Sequence, residues 1–415
     1  MAQKSTLPAS IGLDIGSSQI RCVVGMQEED APAPSIIGVG TAPTTSVRKG
    51  TVVDIEDTVS AITAAVDEAE RISGVAVNHA TVGVNGSHIL TVGSHGIIAI
   101  GSSNREITDS DIERVEEASN VMQLPPNREI IQAFPRSYTV DGQERIKDPA
   151  GMNGVRLEVD TALVTAGTPF VKNIARSVNQ AGLAVDSYVS NPLAAASCLV
   201  TKRDQEVGTV VVDIGAATTG IAVFEESELL HTAVIPVGAG HISNDLAIGL
   251  RIDIDTADKI KLEKVSADPK TRTHKRGSNV SVKDLKGEDM IVSEFDINSI
   301  AQARLDEIFD LIDRELKKIK RDGMLPGGVI LTGGGSKMTG IENYAKQSMR
   351  LPARTGHPEG FSGIVDKISD PEFSVAIGLM LANLSRHERK DNVVESFMSS
   401  SKNIVASLWH RIKKR

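Results

Sequence analysis

Two segments of the sequence place a carboxylate directly before a glycine turn. Residues 14–18 (DIGSS) follow an apolar run, and residues 213–219 (DIGAATT) follow another apolar run 199 positions later. A strand that ends in a glycine turn lets backbone N–H groups approach phosphate oxygens without interference from a Cβ atom. Two such turns that face each other can clamp a polyphosphate, with hydroxyl side chains as further donors. The nucleotide-binding residues predicted here are Asp14, Gly16, Ser17, Ser18, Asp213, Gly215, Ala216, Thr218 and Thr219.

The two aspartates also predict a metal ion. Mg²⁺ prefers oxygen ligands and gives up its waters reluctantly, so carboxylates commonly hold it through those waters. Asp14 and Asp213 are therefore expected to bind Mg²⁺ through water. The alternative is that both segments are ordinary glycine hairpins in which the aspartate caps the turn.

A third glycine-rich turn contains no acid. Residues 331–337 read LTGGGSK, and three consecutive glycines suit the close approach of a flat group such as a purine with its ribose. A plain strand-to-helix turn needs only one glycine. The residues predicted to contact the nucleoside are Gly333, Gly334, Gly335, Ser336 and Lys337. Neither the P-loop pattern nor the dinucleotide-binding pattern of glycines occurs in the chain, so those two folds are not supported.

The elements that position these turns occur twice in the same order. Each half begins with an apolar strand, an aspartate, a glycine turn and a return strand. Apolar spacing predicts helices over Asp57–Ile72 and Ser299–Lys320, and an apolar run predicts a strand over Gly328–Thr332. The sequence therefore predicts a duplicated α/β unit. The polar segment Thr271–Gly287 is expected to be an exposed hairpin or loop.

Composition limits the class of protein. A chain of 415 residues with 40% hydrophobic and 24% charged residues is long enough for several domains with a sizeable core. The net charge of −9 argues against a nucleic-acid partner, which would require a basic face. Two cysteines exclude a disulfide scaffold and a cysteine-rich zinc site. No apolar run approaches the roughly 20 residues of a transmembrane helix, and no signal peptide is evident.

Residues 401–415 (SKNIVASLWHRIKKR) differ from the acidic body of the protein. This tail contains five basic residues and no acid, and it follows the polar stretch 385–400. Apolar side chains recur on one helical face, which is typical of a helix lying in a membrane interface. The predicted membrane-binding residues are Ile404, Val405, Leu408, Trp409, Arg411, Ile412, Lys413, Lys414 and Arg415. The alternatives are a helix docked on the protein body and a helix of the calmodulin-target type.

The three turns, together with residues 191–196 (NPLAAA) and 375–380 (VAIGLM), resemble a known set of motifs. They are similar to the phosphate-1, phosphate-2, adenosine and connecting motifs of actin, heat-shock chaperones and sugar kinases. Within that superfamily the chain is most similar to the FtsA family of bacterial cell-division proteins, over nearly all of residues 8–384. The resemblance implies an actin-like, two-lobed α/β fold of duplicated ribonuclease-H-like units, with ATP and Mg²⁺ between the lobes. It also implies an inserted 1C subdomain and a C-terminal amphipathic helix.

The resemblance further implies a division of the chain into subdomains. The expected boundaries are 8–83 and 162–193 for subdomain IA, 84–161 for 1C, 194–226 and 305–363 for IIA, 227–304 for IIB, 364–384 for a return helix to IA, 385–400 for a flexible linker and 401–415 for the membrane-binding helix.

Four more site residues follow from the resemblance. Gly238, Asp258 and Lys261 match positions near the nucleotide, and the alternative for Asp258 and Lys261 is an exposed helix face. Asn191 occupies the place where actin-like proteins carry a water-orienting Gln or Glu. An amide can accept a hydrogen bond from water but is no base near neutral pH, so hydrolysis is expected to be slow. Asn191 fits a helix cap equally well.

The function implied by the resemblance is structural. Proteins of this kind bind ATP, self-assemble into actin-like filaments and tether the tubulin-like FtsZ to the inner face of the cytoplasmic membrane at the division septum. The partners expected are therefore a second copy of the chain, FtsZ, later divisome proteins and an anionic lipid membrane, with no nucleic acid. The alternative function is an ATP-dependent kinase for a sugar or another small molecule, because the same fold serves that chemistry.

Overall fold

The computed structural model describes residues 9–27, 31, 33–101, 104–268, 279–283 and 289–398 of the 415-residue chain. The strands in chain order are β1 (Ser10–Ile15), β2 (Gln19–Met26), β3 (Ser35–Pro43), β4 (Val47–Arg48), β5 (Thr51–Val52), β6 (His79–Val84), β7 (Leu90–Ala99), β8 (Arg128–Val140), β9 (Gln143–Ile146), β10 (Arg156–Gly167), β11 (Ala184–Ser190), β12 (Thr209–Ile214), β13 (Thr219–Glu225), β14 (Glu228–Ile235), β15 (Asn279–Lys283), β16 (Asp289–Ser293), β17 (Gly328–Thr332), β18 (Ala353–Thr355) and β19 (Ser362–Gly363). The helices are α1 (Ile55–Ser73), α2 (Asp109–Asn120), α3 (Thr168–Gln180), α4 (Asn191–Leu199), α5 (Lys202–Val207), α6 (Gly240–Leu250), α7 (Ile254–Lys264), α8 (Glu294–Lys318), α9 (Ile341–Met349), α10 (Val365–Ile368) and α11 (Ser374–Met398), with 3-10 turns at Gly334–Lys337 and Pro371–Phe373.

A six-stranded sheet in the order β11-β6-β1-β2-β3-β19 forms the first lobe. β1 forms an antiparallel hairpin with β2 and runs parallel to β6. Every residue of β1 is buried, because helices cover both faces of the sheet. α11 lies directly on β1: a Cβ added to Gly12 would be 2.1 Å from the carbonyl oxygen of Ala376. Only glycine permits this contact.

The second lobe repeats the arrangement of the first. β12 forms an antiparallel hairpin with β13 and runs parallel to β17. The nine-stranded sheet that contains these strands has the order β18-β17-β12-β13-β14-β7-β10-β8-β9. Asp14 pairs with Arg21 across the first hairpin, and Asp213 pairs with Gly220 across the second. The duplicated α/β unit predicted from the 199-residue offset is therefore confirmed.

An inserted unit formed by β7–β10 and α2 has its own small core. Ile107, Ile112, Val115, Leu157 and Val159 are buried in it. A capping box between Thr108 and Asp111 begins α2, as the Thr-Asp spacing of that segment favours. The sheet of this unit continues that of the second lobe, because β7 meets β14 where Leu90 lies opposite Ala233.

Two regions extend the sequence-based predictions or differ from them. The polar segment 271–287, predicted as a hairpin or loop, contains β15, which pairs antiparallel with β16 just after the segment, and residues 269–278 and 284–288 lie outside the described residues. α11 continues to Met398, so residues 385–398 of the expected linker 385–400 are helical in the structure, and residues 399–400 lie outside the described residues. No Gly or Pro interrupts this segment, and its Arg, Glu and Lys residues are good helix formers.

Candidate functional site

Asp14 and Asp213 end the central strands of the two lobes, where the two glycine turns begin. Both carboxylates are buried, with exposed fractions of 5% and 9%. Burial raises the pKa of Asp14 above its usual value, against the opposing effects of Arg21 and Asn191. Burial and the negative charge of Asp14 together raise the pKa of Asp213 to about 7, again opposed by Arg21. Two interacting buried carboxylates favour a divalent cation, because a cation removes their repulsion.

These carboxylates fit a water-held Mg²⁺ rather than a cation enclosed by protein ligands. Across the described part of the chain, no group of three or more His, Cys, Asp or Glu side chains could hold a metal ion. Mg²⁺ typically takes one or two carboxylates and completes its shell with water and substrate phosphates. Asp14 and Asp213 would supply the two carboxylates, and a bound ion would supply positive charge beside the phosphates.

Asn191 lies against Asp14. Nδ2 of Asn191 donates a hydrogen bond to Oδ1 of Asp14 at 3.0 Å, and Asn191 is 3% exposed. The N-cap of α4 is Ser190, and no side-chain hydrogen bond caps this helix. Asn191 therefore does not act as the helix cap that the sequence left open. Its Oδ1 is buried and makes no hydrogen bond within the described residues, which leaves it able to accept one from a water molecule.

Arg21 is a site residue that the sequence analysis missed. Its Nη1 lies 4.0 Å from Oδ2 of Asp14, and its Nη2 donates to Glu372 at 3.0 Å. The guanidinium also lies over the ring of Phe373, 5.5 Å from the centroid. Arg21 thus partly compensates the charge of the two aspartates. One signal was available, because Arg21 is the only charged residue in the otherwise apolar or neutral strand β2.

The first turn, made of Gly16, Ser17 and Ser18, connects β1 to β2. A Cβ on Gly16 would lie 2.5 Å from the carbonyl oxygen of Gln19, so the tight turn requires glycine. The backbone carbonyl oxygen of Ser18 accepts a hydrogen bond from the N–H of Thr44 at 3.0 Å. This contact fixes the turn against the end of β3.

The second turn is joined to the segment that begins α6. The N–H groups of Ala239 and Gly240 donate to the carbonyl oxygens of Gly215 and Ala216 at 2.9 and 2.7 Å. A Cβ on Gly238 would lie 2.5 Å from the oxygen of Gly215. Gly238, predicted from the resemblance, is therefore held against this turn. The hydroxyl of Thr219 donates to the carbonyl of Val237 at 2.8 Å and further fixes the two segments.

Asn85 connects the lobes at the second turn and was also missed. Its Nδ2 donates to Oγ1 of Thr218 at 3.1 Å, across 133 positions of sequence. Its Oδ1 accepts from the N–H of Gly86 at 2.9 Å, which orients the amide. Asn85 follows β6, the parallel neighbour of β1, so its location at the same sheet edge as Asp14 could have identified it.

The third glycine turn, at residues 333–336, packs against the end of β12. A Cβ on Gly333 would lie 2.3 Å from Oδ1 of Asp213, and one on Gly335 would lie 2.4 Å from Cγ2 of Ile214. Packing therefore explains two of the three glycines. Gly334 differs, because a Cβ there would meet no atom within 4 Å. Gly334 is exposed and faces open space, while its neighbours set the position of the turn.

Ser336 and Lys337 line a cavity next to this turn. Its volume is about 470 Å³, within the range of small-molecule sites, and its lining also includes Thr355, His357 and Asp370. The hydroxyl of Ser336 donates to the carbonyl of Gly333, and Nζ of Lys337 pairs with Asp370 at 2.6 Å. The ammonium of Lys337 thus points to Asp370, just before the 3-10 turn that leads into α11.

The remaining predicted residues are not brought to the three turns by any described contact. Asp258 and Lys261 pair with each other on α7 at 2.5 Å, and the hydroxyl of Ser243 donates to Asp258 at 2.7 Å. All the predicted membrane-binding residues belong to the tail 401–415, which lies outside the described residues. Among the helices that the structure describes, none has the length and apolar character required to cross a membrane.

Comparisons with known proteins agree with this architecture. A family profile described as "SHS2 domain inserted in FTSA" matches residues 86–165, and one described as "Cell division protein FtsA" matches residues 210–378. The Cell division protein FtsA of Pseudomonas aeruginosa is 35% identical over 394 residues, which cover 94% of this chain and 92% of that protein.

Two solved structures share the fold. A protein of the PilM-PilN type IV pilus biogenesis complex superposes with a TM-score of 0.63 at 17% identity, over 90% of this chain and 98% of that one. MreB5 of Spiroplasma citri bound to ADP gives a TM-score of 0.54 at 16% identity, over 94% and 100% of the two chains. The actin-like fold predicted from the sequence motifs is confirmed.

Proposed function

Because the chain belongs to the FtsA family of cell division proteins, we propose that it binds Mg·ATP between its lobes and links FtsZ filaments to the membrane. The observation that carries the nucleotide part is the facing pair of buried aspartates, Asp14 and Asp213, each followed by a glycine turn. The relative MreB5 of Spiroplasma citri was solved with ADP, which is consistent with a nucleotide in the corresponding cleft.

The residues proposed to hold the nucleotide fall into three groups. The two aspartate turns, with Gly238 behind the second, would surround the phosphates and the Mg²⁺. The turn that contains Gly334 would face the nucleoside, because space is available there. Asn191 would orient a water molecule through the Oδ1 atom that has no hydrogen-bond partner among the described residues. An amide cannot remove a proton from that water near neutral pH, so the chain would be at most a slow ATPase and mainly a structural protein.

The membrane part of the proposal depends on the tail 401–415. Its apolar stripe suits burial at the boundary between headgroups and acyl chains. Each basic residue near an anionic surface contributes about 1 kcal/mol to the free energy of membrane binding. One such helix binds weakly and reversibly. Self-assembly into open, actin-like filaments would present many tails at once, so that each bound tail raises the effective concentration of the next. Membrane attachment and assembly would then reinforce each other at the division septum.

Flotation with FtsZ tests this function directly. Anionic liposomes, FtsZ polymers from the same genome and the full chain are mixed with or without Mg·ATP, and the floated fraction is analysed. FtsZ is expected to float only when the chain is present, and more strongly with ATP. The variant Trp409→Glu serves as the matched control, because it should bind ATP but leave FtsZ in solution. If FtsZ stays in solution with the unmodified chain, the tether function is wrong.

A further inference from the structure

Strand β8 of the inserted unit contacts both lobes of the protein. Near its start, Oε1 of Gln132 accepts a hydrogen bond from the backbone N–H of Ser190 at 3.0 Å. Four residues later, Arg136 donates from Nε to the carbonyl of Leu229 at 2.8 Å and from Nη2 to that of Leu230 at 2.7 Å. One strand therefore holds the end of β11 in the first lobe and the start of β14 in the second.

The contact at Gln132 is one residue away from the candidate site. Ser190 is fully buried and directly precedes Asn191, whose amide bonds Asp14. The backbone at this corner sets the position of the Asn191 side chain. Without the acceptor on Gln132, the buried N–H of Ser190 would lose this hydrogen bond, and an unsatisfied buried donor is costly.

The contact at Arg136 is connected to the second aspartate turn through β14. β14 runs from the residues held by Arg136 to Ile235, which pairs with Thr219 at the end of the turn. Burial lowers the pKa of Arg136, and the two carbonyl oxygens compensate for the lost water. Lys147 strengthens the same junction, because its Nζ donates to the carbonyl of Glu226 at 2.8 Å.

A second pair of hydrogen bonds joins β7 to β14. The hydroxyl of Thr91 donates to the carbonyl of Thr232 at 2.9 Å and accepts from the N–H of Thr232 at 2.9 Å. The inserted unit is therefore fixed to the second lobe at several points, although it is inserted in the sequence of the first. A rotation of one lobe relative to the other must strain these contacts or move the inserted unit.

We propose that β8 couples the inserted unit to the nucleotide cleft, with Gln132 as a positioning residue for the corner at Ser190 and Asn191. The two contact points are four residues apart on one strand, a separation of about 13 Å at roughly 3.3 Å per residue. Gln132 to Pro135 pair with β10 in unbroken register, and Arg136 lies in the bulge that follows, so closure of the lobes on a nucleotide is transmitted along this strand to the inserted unit. If a bound nucleotide changes the affinity of the inserted unit for a partner by some factor, thermodynamic reciprocity requires that the partner change the nucleotide affinity by the same factor. This inference depends on the proposed nucleotide site.

The test measures the dissociation rate of a fluorescent ATP analogue from the full chain with Mg²⁺. Gln132→Met keeps the side-chain length and removes the acceptor, whereas Gln132→Glu keeps an acceptor oxygen. Gln143→Met, at an exposed position on β9, is the matched control. We expect Gln132→Met to release the analogue about tenfold faster, as the loss of one buried hydrogen bond allows, and Gln132→Glu to restore the rate to within about twofold. The melting temperature of each variant is recorded without nucleotide.

Two results would overturn the coupling. In one, Gln132→Met releases the analogue at the unmodified rate. In the other, Gln132→Met and Gln132→Glu accelerate release equally, which would indicate general destabilisation. If the unmodified chain binds no analogue, the proposed nucleotide function fails and the coupling is judged by amide hydrogen exchange at residues 14–18 without nucleotide. Faster exchange there in Gln132→Met but not in Gln132→Glu supports the coupling, and equal exchange refutes it.

Discussion

Asn191 and Asp14 are 177 positions apart in sequence, yet the amide of one donates a buried 3.0 Å hydrogen bond to the carboxylate of the other. The bond ties the first residue of α4 to the end of β1. It also favours the ionised form of a carboxyl group whose pKa burial raises. The same residue that would orient a water molecule therefore also opposes the effect of burial on the pKa of a candidate magnesium ligand.

We expect this arrangement to bind Mg·ATP but hydrolyse it slowly, well below the roughly 10 s⁻¹ typical of enzymes. Asn191→Ala removes the donor to Asp14 and is expected to weaken Mg²⁺-dependent binding of an ATP analogue about tenfold, since hydrogen bonds to charged groups contribute about 1.5–3 kcal/mol. Asn179→Ala, at an exposed position on α3, is the control. A turnover of enzyme-like size without a partner would contradict the prediction and favour a kinase-like function.

Gly334→Asp should abolish nucleotide binding without unfolding the protein. A side chain at Gly334 has room in the structure, so the fold should tolerate it. The added carboxylate would then occupy the space proposed for the nucleoside. The measurement is titration with a fluorescent ATP analogue, with far-UV circular dichroism to verify the fold. Gly93→Asp, at another glycine with open space, should bind normally. Unchanged binding in Gly334→Asp would show that the third turn is only structural.

Much of the site could be predicted because its main elements are local in sequence. The two aspartate turns and the glycine-rich turn are short motifs, and their strands are apolar runs. Arg21 and Asn85 could not be found in this way. Arg21 belongs to the site through its hairpin register opposite Asp14 and its ion pair with Glu372, 351 positions away. Asn85 belongs to it only because β6 lies beside β1.

Two further features of the structure could not be read from the sequence, for physical reasons. Local sequence does not separate glycines that face a ligand from glycines that pack against a strand, and Gly333 and Gly335 pack against the end of β12. Polar composition over 385–400 indicated a linker, but polar residues with high helix propensity also extend a helix that already packs at its start, and α11 reaches Met398.

Acid should destabilise the junction of the inserted unit through His88. Burial, and secondarily the charge of Arg128, lower the pKa of His88 to about 4, while its ring stacks on Phe170 at 4.4 Å. A depressed histidine pKa favours the neutral form in the folded state. The contribution of His88 to folding stability is therefore complete above the pKa of about 6.5 in the unfolded chain, and it is lost as the pH falls towards 4. Because the ring is partly exposed, we expect a loss of about 1–2 kcal/mol, measured by denaturant unfolding at several pH values.

The matched variants for this prediction are His88→Gln and His95→Gln. His88→Gln should lose less stability than the unmodified chain between pH 6.5 and 4. His95 behaves in the opposite way, because its hydrogen bond to Asp160 raises its pKa. The contribution of His95 is therefore present at low pH and lost as the pH rises through its folded value. Identical pH profiles for His88→Gln and the unmodified chain would contradict the assignment.

The tail prediction separates membrane binding from nucleotide binding. In a helix over residues 401–415, Trp409 would lie at the headgroup level with Leu408 and Ile412 in the acyl region. Trp409→Glu places a charge on that apolar face and should release the chain from anionic liposomes in a flotation assay, while ATP-analogue affinity stays unchanged. Fused to an unrelated soluble protein, residues 401–415 should bind these liposomes more strongly as a dimer than as a monomer, because the second tail binds at a high effective concentration. The prediction is refuted if the chain without residues 401–415 floats as well as the full chain.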